Sequence, residues 1–120
     1  MNEYQMGAAE TRFAEMVWES APVSSTALVR RCEAELGWKK STTYTVLKRL
    51  CGKGLFRNEG GTVTVLVSKE AFYACRSEQF VEETFGGSLP AFLAAFTSRK
   101  RLTAEEIESL RRMVDAYEEG

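Results

Sequence analysis

Hydrophobic periodicity changes once along this chain, and that change constrains the fold more than any other feature. Up to Leu50 the apolar residues recur at intervals of three and four, the spacing of one helix face. Phe13, Met16 and Val17 follow Gly7-Ala8-Ala9-Glu10 and the pattern stops before Pro22, which predicts a first helix of about twelve residues. Ser24 and Ser25 are good N-cap residues, because a side-chain oxygen there accepts an orphan backbone N–H. They open a second helix, roughly Thr26 to Leu36, with Leu28, Val29, Cys32 and Leu36 on one face and Gly37 to end it. A third helix starts at Ser41 or its neighbour. Thr43, Val46, Leu47 and Leu50 form its inward stripe, and Ser41, Thr42, Tyr44, Thr45, Lys48 and Arg49 its other side.

Beyond Gly52 and Gly54 the pattern becomes that of strands. Leu55-Phe56-Arg57 and Thr62-Val63-Thr64-Val65-Leu66-Val67 are rich in β-branched and aromatic residues, and Glu59-Gly60-Gly61 between them supplies the positive φ angles of a tight hairpin. Three helices and then a two-stranded hairpin is the order of a winged helix-turn-helix. From Ser68 the helical period returns. Phe72, Cys75, Phe80, Val81 and Phe85 line a long helix ending at Gly86-Gly87, Leu89, Phe92, Leu93 and Phe96 a short one around Pro90, and Ile107, Leu110, Val114 and Tyr117 a last one. Thr103 and Glu106 form a capping box at the start of that last helix. Five of the seven phenylalanines fall between Phe72 and Phe96, more aromatic surface than isolated helices leave in water.

The expected fold is therefore mainly α with a small β-hairpin. Residues 1–68 form a winged helix-turn-helix DNA-binding domain and residues 69–120 a helical dimerisation arm. The pairing surface is assigned to Phe72, Phe80, Phe85, Leu89, Phe92, Leu93, Phe96, Ile107, Leu110, Val114 and Tyr117, with a fold-back of these helices on the wing as the alternative.

Charge supports the division. The chain as a whole carries −1, but the segment Arg30 to Arg57 holds eight basic and two acidic residues, a local +6. From Lys69 onward the balance is −3, and a basic stretch inside a near-neutral protein is the mark of a nucleic-acid face. The absence of histidine excludes a Ser-His-Asp triad, a Cys-His pair and any His-bearing zinc site. Cys32, Cys51 and Cys75, nineteen and twenty-four residues apart, fit neither a disulfide framework nor a thiolate cluster, and read as small hydrophobes in a reducing compartment. No cofactor, metal or enzymatic activity is expected. The longest mainly apolar stretch, Leu89 to Phe96, is far short of a membrane span, and Met1-Asn2-Glu3 is not the start of a signal peptide, so a soluble cytoplasmic protein is expected.

From about Met6 to Tyr117 the sequence resembles the BlaI/MecI/CopY, or penicillinase repressor, family of bacterial transcriptional regulators. Ala9-Glu10 and Trp18 match that family's A-E pair and its tryptophan. Trp38, Thr42, Thr45, Leu47, Arg49-Leu50, Lys53-Gly54 and Leu55 match its W-S-P-K-T-x-x-T-x-L-x-R-L-x-x-K-G-x run in register, and Phe85-Gly86-Gly87-Ser88-Leu89 and Leu102 to Leu110 match its glycine turn and final helix. The resemblance implies a homodimer that binds an inverted-repeat operator in double-stranded DNA and represses transcription. The departures are local. Lys39-Lys40-Ser41-Thr42 replaces S-P-K-T, which displaces a positive charge by one residue, or about 100° of helix. Ala95-Phe96 stands where antibiotic-responsive members have a cleavable Asn-Phe bond, and no cysteine follows Cys75, so the C-terminal thiolate cluster of copper-responsive members is excluded. The inducing signal, whether a sensor protease, a small molecule or a redox change at Cys75, stays open.

For DNA contact the residues assigned are Lys39, Lys40, Ser41, Thr42, Tyr44, Thr45, Lys48, Arg49 and Arg57. The lysines supply counterion-releasing charge, the threonines hydroxyls and methyls, Arg49 a backbone clamp, and Arg57 a contact from the hairpin. Glu59 at the hairpin tip is repelled by phosphate, which points to a wing of low affinity. A winged-helix module that docks on a protein instead of DNA is the competing reading; the +6 segment, which would be neutral or apolar on a docking surface, argues against it.

Overall fold

The computed structural model describes residues 6–120, and Met1-Asn2-Glu3 lies outside them. The chain forms two compact units, the first extending to Gln79 and the second covering Phe80–Gly120. In the first unit, α1 (Ala8–Ser20), α2 (Ser25–Leu36) and α3 (Lys40–Gly52) precede a three-stranded sheet. The sheet has the antiparallel order β1-β3-β2, with β1 Val23–Ser24, β2 Phe56–Glu59 and β3 Thr62–Val65. This is a winged helix-turn-helix. Helix boundaries follow the sequence expectation closely. Ser24 caps α2 by accepting from the Ala27 amide at 3.0 Å, and Gly37 ends it in the left-handed region at φ 68°. Replacing Ser24 by Ala leaves that amide unpaired and is expected to lower unfolding stability by about 1 kcal/mol, read as a shift in the denaturant midpoint.

The hairpin turn is the two-residue Gly60-Gly61 loop, flanked by the Glu59↔Thr62 pair. Both glycines have positive φ, 58° and 84°, which a twisted two-residue hairpin of the I′ kind requires. The strand β1 was not expected. Val23 and Ser24 pair with Val63 and Thr62, and a run of two residues is too short to show a period. The upper part of the second expected strand, Leu66-Val67, instead folds back on Leu55, whose carbonyl accepts from both amides.

One core closes this unit. Phe13, Met16 and Val17 of α1, Leu28 and Cys32 of α2, Val46, Leu47 and Leu50 of α3, and Leu55, Phe56 and Val63 of the sheet region are all buried. Trp18 joins the layers, since its indole N–H donates to the Val67 carbonyl at 3.0 Å and its ring lies 5.7 Å from Phe56 and 5.2 Å from Phe72. Phe72, on the first turns of α4 (Lys69–Phe85), is fully buried here. It was expected on the pairing surface, and that assignment is corrected: a ring already enclosed by its own chain has no face left for a second one.

The second unit holds the end of α4 with α5 (Leu89–Arg99) and α6 (Ala104–Glu119). Gly86 and Gly87 end α4 with positive φ, Ser88 caps α5 through the Ala91 amide, and Thr103 and Glu106 form the reciprocal capping box at 2.9 and 3.0 Å. Hydrogen bonds from the Thr103 amide and hydroxyl hold the Glu106 carboxyl below its ordinary value. Its contribution to the helix is complete above the ordinary carboxylate range and is lost as pH falls through the lowered value. Phe80, Phe85 and Phe92 meet edge to face with centroids 5.6–5.9 Å apart, and Phe96 continues the chain at 6.2 Å from Phe92 in a tilted contact. Yet no residue of α5 or α6 is fully buried. Leu89, Phe96, Ile107, Met113, Val114 and Tyr117 stand exposed.

Candidate nucleic-acid interface

The inward stripe of α3 fixes the direction of its opposite side. Thr43, Val46, Leu47 and Leu50 are buried, so Ser41, Thr42, Thr45, Lys48 and Arg49 project into solvent. Lys39 occupies the N-cap position and provides no side-chain cap. The first intrahelical bond runs from the Thr43 amide to the Lys39 carbonyl at 3.1 Å. The amides of Lys40, Ser41 and Thr42 therefore point out of the helix start, where the dipole is positive. Thr42, at the third helical position, is not the cap, and its hydroxyl is available to an outside acceptor. Thr45 is different. Its hydroxyl donates to the Ser41 carbonyl at 2.9 Å, which leaves its methyl and lone pairs, and not its proton, for a ligand.

Two further residues differ from expectation. Tyr44 was placed on the outer face, but its ring packs half-buried against the core and its hydroxyl lies 3.2 Å from the Ser25 hydroxyl. It sits one residue, about 100°, from the buried Thr43, at the border of the inward stripe. With Leu47, Lys48, Cys51 and Asn58 it lines a hollow of about 390 Å³. Arg49 is also engaged, because its Nη1 donates to Glu10 Oε1 of α1 at 2.7 Å.

Ion pairs divide the basic segment. Arg31 binds Glu35 at 2.6 Å and Glu19 at 2.9 Å, and its hydrogen bond holds the Glu19 carboxyl below the usual range. Arg57 on β2 approaches Glu59 at 3.3 Å. Lys39, Lys40 and Lys48 enter none of the ion pairs found among the described residues, and all three are exposed. Three such charges thus stand at the start and on the outer side of α3, and Arg30, exposed on α2, also enters no ion pair among the described residues. Glu10, Glu19, Glu35 and Glu59 are the residues the sequence reading missed as partners here. For Glu10 no local signal exists, since thirty-nine positions separate it from Arg49.

The cysteines are free thiols. Burial pushes the Cys32 and Cys51 thiols up, which keeps them protonated and unreactive at neutral pH. Among the described residues no group of His, Cys, Asp and Glu is arranged to hold a metal, and no helix is long and apolar enough to cross a membrane.

Within the second unit, Phe92, Leu93, Phe96, Leu102 and Leu110 line an open apolar groove of about 470 Å³ edged by Glu105 and Glu106. Beside it Ile107, Leu110 and Val114 border a shallower one.

A family model described as penicillinase repressor matches residues 6–116. The penicillinase repressor of Bacillus licheniformis is 22% identical over 117 residues, covering 94% of this chain and 91% of that protein. The methicillin resistance regulatory proteins MecI of Staphylococcus aureus (strain N315) and of Mammaliicoccus sciuri are each 22% identical over 116 residues, covering 93% of this chain and 94% of theirs.

Proposed function

The chain belongs to the penicillinase repressor family, and from that premise we propose that it is a cytoplasmic homodimer that represses transcription by occupying an inverted-repeat operator. The observation that carries this reading is α3 itself: Lys39 and Lys40 beside three free backbone amides at its start and Lys48 further along its outer side, none of them in an ion pair among the described residues, on a helix whose opposite side is locked into the core. Such a helix enters the major groove of B-DNA with its first turn against phosphates. Ser41 and Thr42 offer hydroxyls to phosphate oxygens, Thr45 its methyl to a thymine, and Arg49 the free side of its guanidinium to the backbone. Tyr44 contributes chiefly by fixing α3 on α2 through Ser25. Arg57, already beside Glu59, adds little, so the wing guides more than it binds.

Residues 1–68 act as the DNA-binding part and residues 69–120 as the pairing arm, with Phe72 rooting the arm in the first core. Phe80, Phe85, Leu89, Phe92, Leu93, Phe96, Ile107, Leu110, Val114 and Tyr117 form the pairing surface. Two linked half-site contacts bind far more tightly than one, so repression needs only occupancy, and induction needs only loss of the dimer. With Ala95-Phe96 in place of Asn-Phe, the bond cleaved in the antibiotic-responsive members has no counterpart here, so a sensor protease would have to act at another bond. Genome-wide mapping of the tagged protein tests the whole reading. The expected result is a small set of promoter sites sharing an inverted repeat; no enriched DNA would favour a protein-docking module.

A further inference from the structure

α1 begins at Gly7 without a side-chain cap, and Glu10 is the acidic residue of its first turn. A carboxylate is favoured there by the free amides of the helix start. Glu10 is largely enclosed, at 22% exposure, while its partner Arg49 is 49% exposed. Only one edge of the pair is bonded: Arg49 Nη1 donates to Glu10 Oε1 at 2.7 Å, and Glu10 Oε2 is buried with no hydrogen-bond partner among the described residues. Glu10 thus holds Arg49 from behind at a single nitrogen. The remaining N–H groups of the guanidinium make no hydrogen bond to a carboxylate among the described residues, on a side chain 49% exposed, and Arg49 follows Thr42 and Thr45 along α3 at helical spacings of seven and four.

We propose that Glu10 is a positioning residue for DNA binding, fixing the Arg49 guanidinium in the orientation that receives a phosphate. The proposal rests on the DNA-binding reading above. It makes an unusual demand on sign. Glu10 is an anion close to a DNA-facing surface, so if it acted only through its charge, removing it would strengthen binding. If it orients Arg49, removing it weakens binding, because the loose arginine must then be immobilised on contact.

The test uses the full chain and a mixed-sequence DNA duplex, with dissociation constants measured against salt. Glu10→Ala is expected to bind about threefold to tenfold more weakly than the wild type, although it is the more basic protein. Glu10→Gln keeps an acceptor oxygen and is expected to bind at least as well as the wild type. In an Arg49→Ala background the orienting effect is gone and only the lost anion counts, so the further change Glu10→Ala is expected to leave binding equal or slightly tighter, never weaker. Unchanged or tighter binding by Glu10→Ala overturns the proposal. So does weakening that persists without Arg49, which would mark a general distortion, and thermal melts of each variant identify that case. A wild-type protein that fails to bind the duplex overturns the DNA-binding reading itself, which separates the two failures.

Discussion

Raising salt from 50 to 200 mM is expected to weaken binding of the dimer to duplex DNA by about 10⁴-fold, corresponding to a slope of log affinity on log salt of about −7. The figure follows from four phosphate contacts per protomer, Lys39, Lys40, Lys48 and Arg49, each releasing most of one condensed counterion. The sum of eight basic residues between Arg30 and Arg57 would suggest a steeper dependence. Arg31 and Arg57, however, lie on α2 and β2 and not on the outer side of α3, which carries Lys48 and the exposed part of Arg49 that Glu10 does not bind. Lys48→Ala, which removes one contact from each protomer, is expected to flatten the slope by about 2. Fluorescence anisotropy across a salt series checks both numbers. A slope near zero would remove the basic side of α3 from the interface, and a slope well beyond −7 would return Arg31 and Arg57 to it.

That correction shows where the sequence was legible. The three helices, the glycine hairpin and the capping residues Ser24 and Thr103 are local features, decided within a few residues, and the structure has them where the periodicity placed them. The inward stripe of α3 was legible for the same reason. What the sequence concealed is long-range pairing. Glu10 and Arg49 are on different helices, as are Glu19 and Arg31, and a charge count along the chain treats both arginines as free. Tyr44 fails in a related way. A helical projection puts it beside the polar residues, and only the approach of Ser25 turns its hydroxyl inward. Phe72 shows that an aromatic-rich stretch need not serve one purpose: its first ring completes the core under Trp18, whereas Phe80 to Phe96 collect in another unit.

Replacing Val114 by Asp is expected to convert the dimer into a monomer and to lower affinity for an operator carrying both half-sites by about 10²–10⁴-fold. Val114 is suited to this test because its side chain is 58% exposed in the single chain, so a carboxylate there meets water in the monomer and costs little. In a paired arm the same carboxylate would be enclosed with Ile107, Leu110 and Tyr117, the apolar positions of α6 at spacings of three and four, where an unpaired charge is not tolerated. The two states therefore respond oppositely to one substitution. Sedimentation should show the loss of the dimer, while circular dichroism should show helix content unchanged, because exposed substitutions on an intact helix shift stability by about 0.5 kcal/mol or less. Affinity for an isolated half-site should stay within a small factor of the wild type, since α3 and its lysines lie in the other unit. A variant that remains dimeric would move the pairing surface away from α6. One that is monomeric yet still binds the full operator tightly would break the link between pairing and repression, because avidity is what lets two modest half-site contacts hold a promoter.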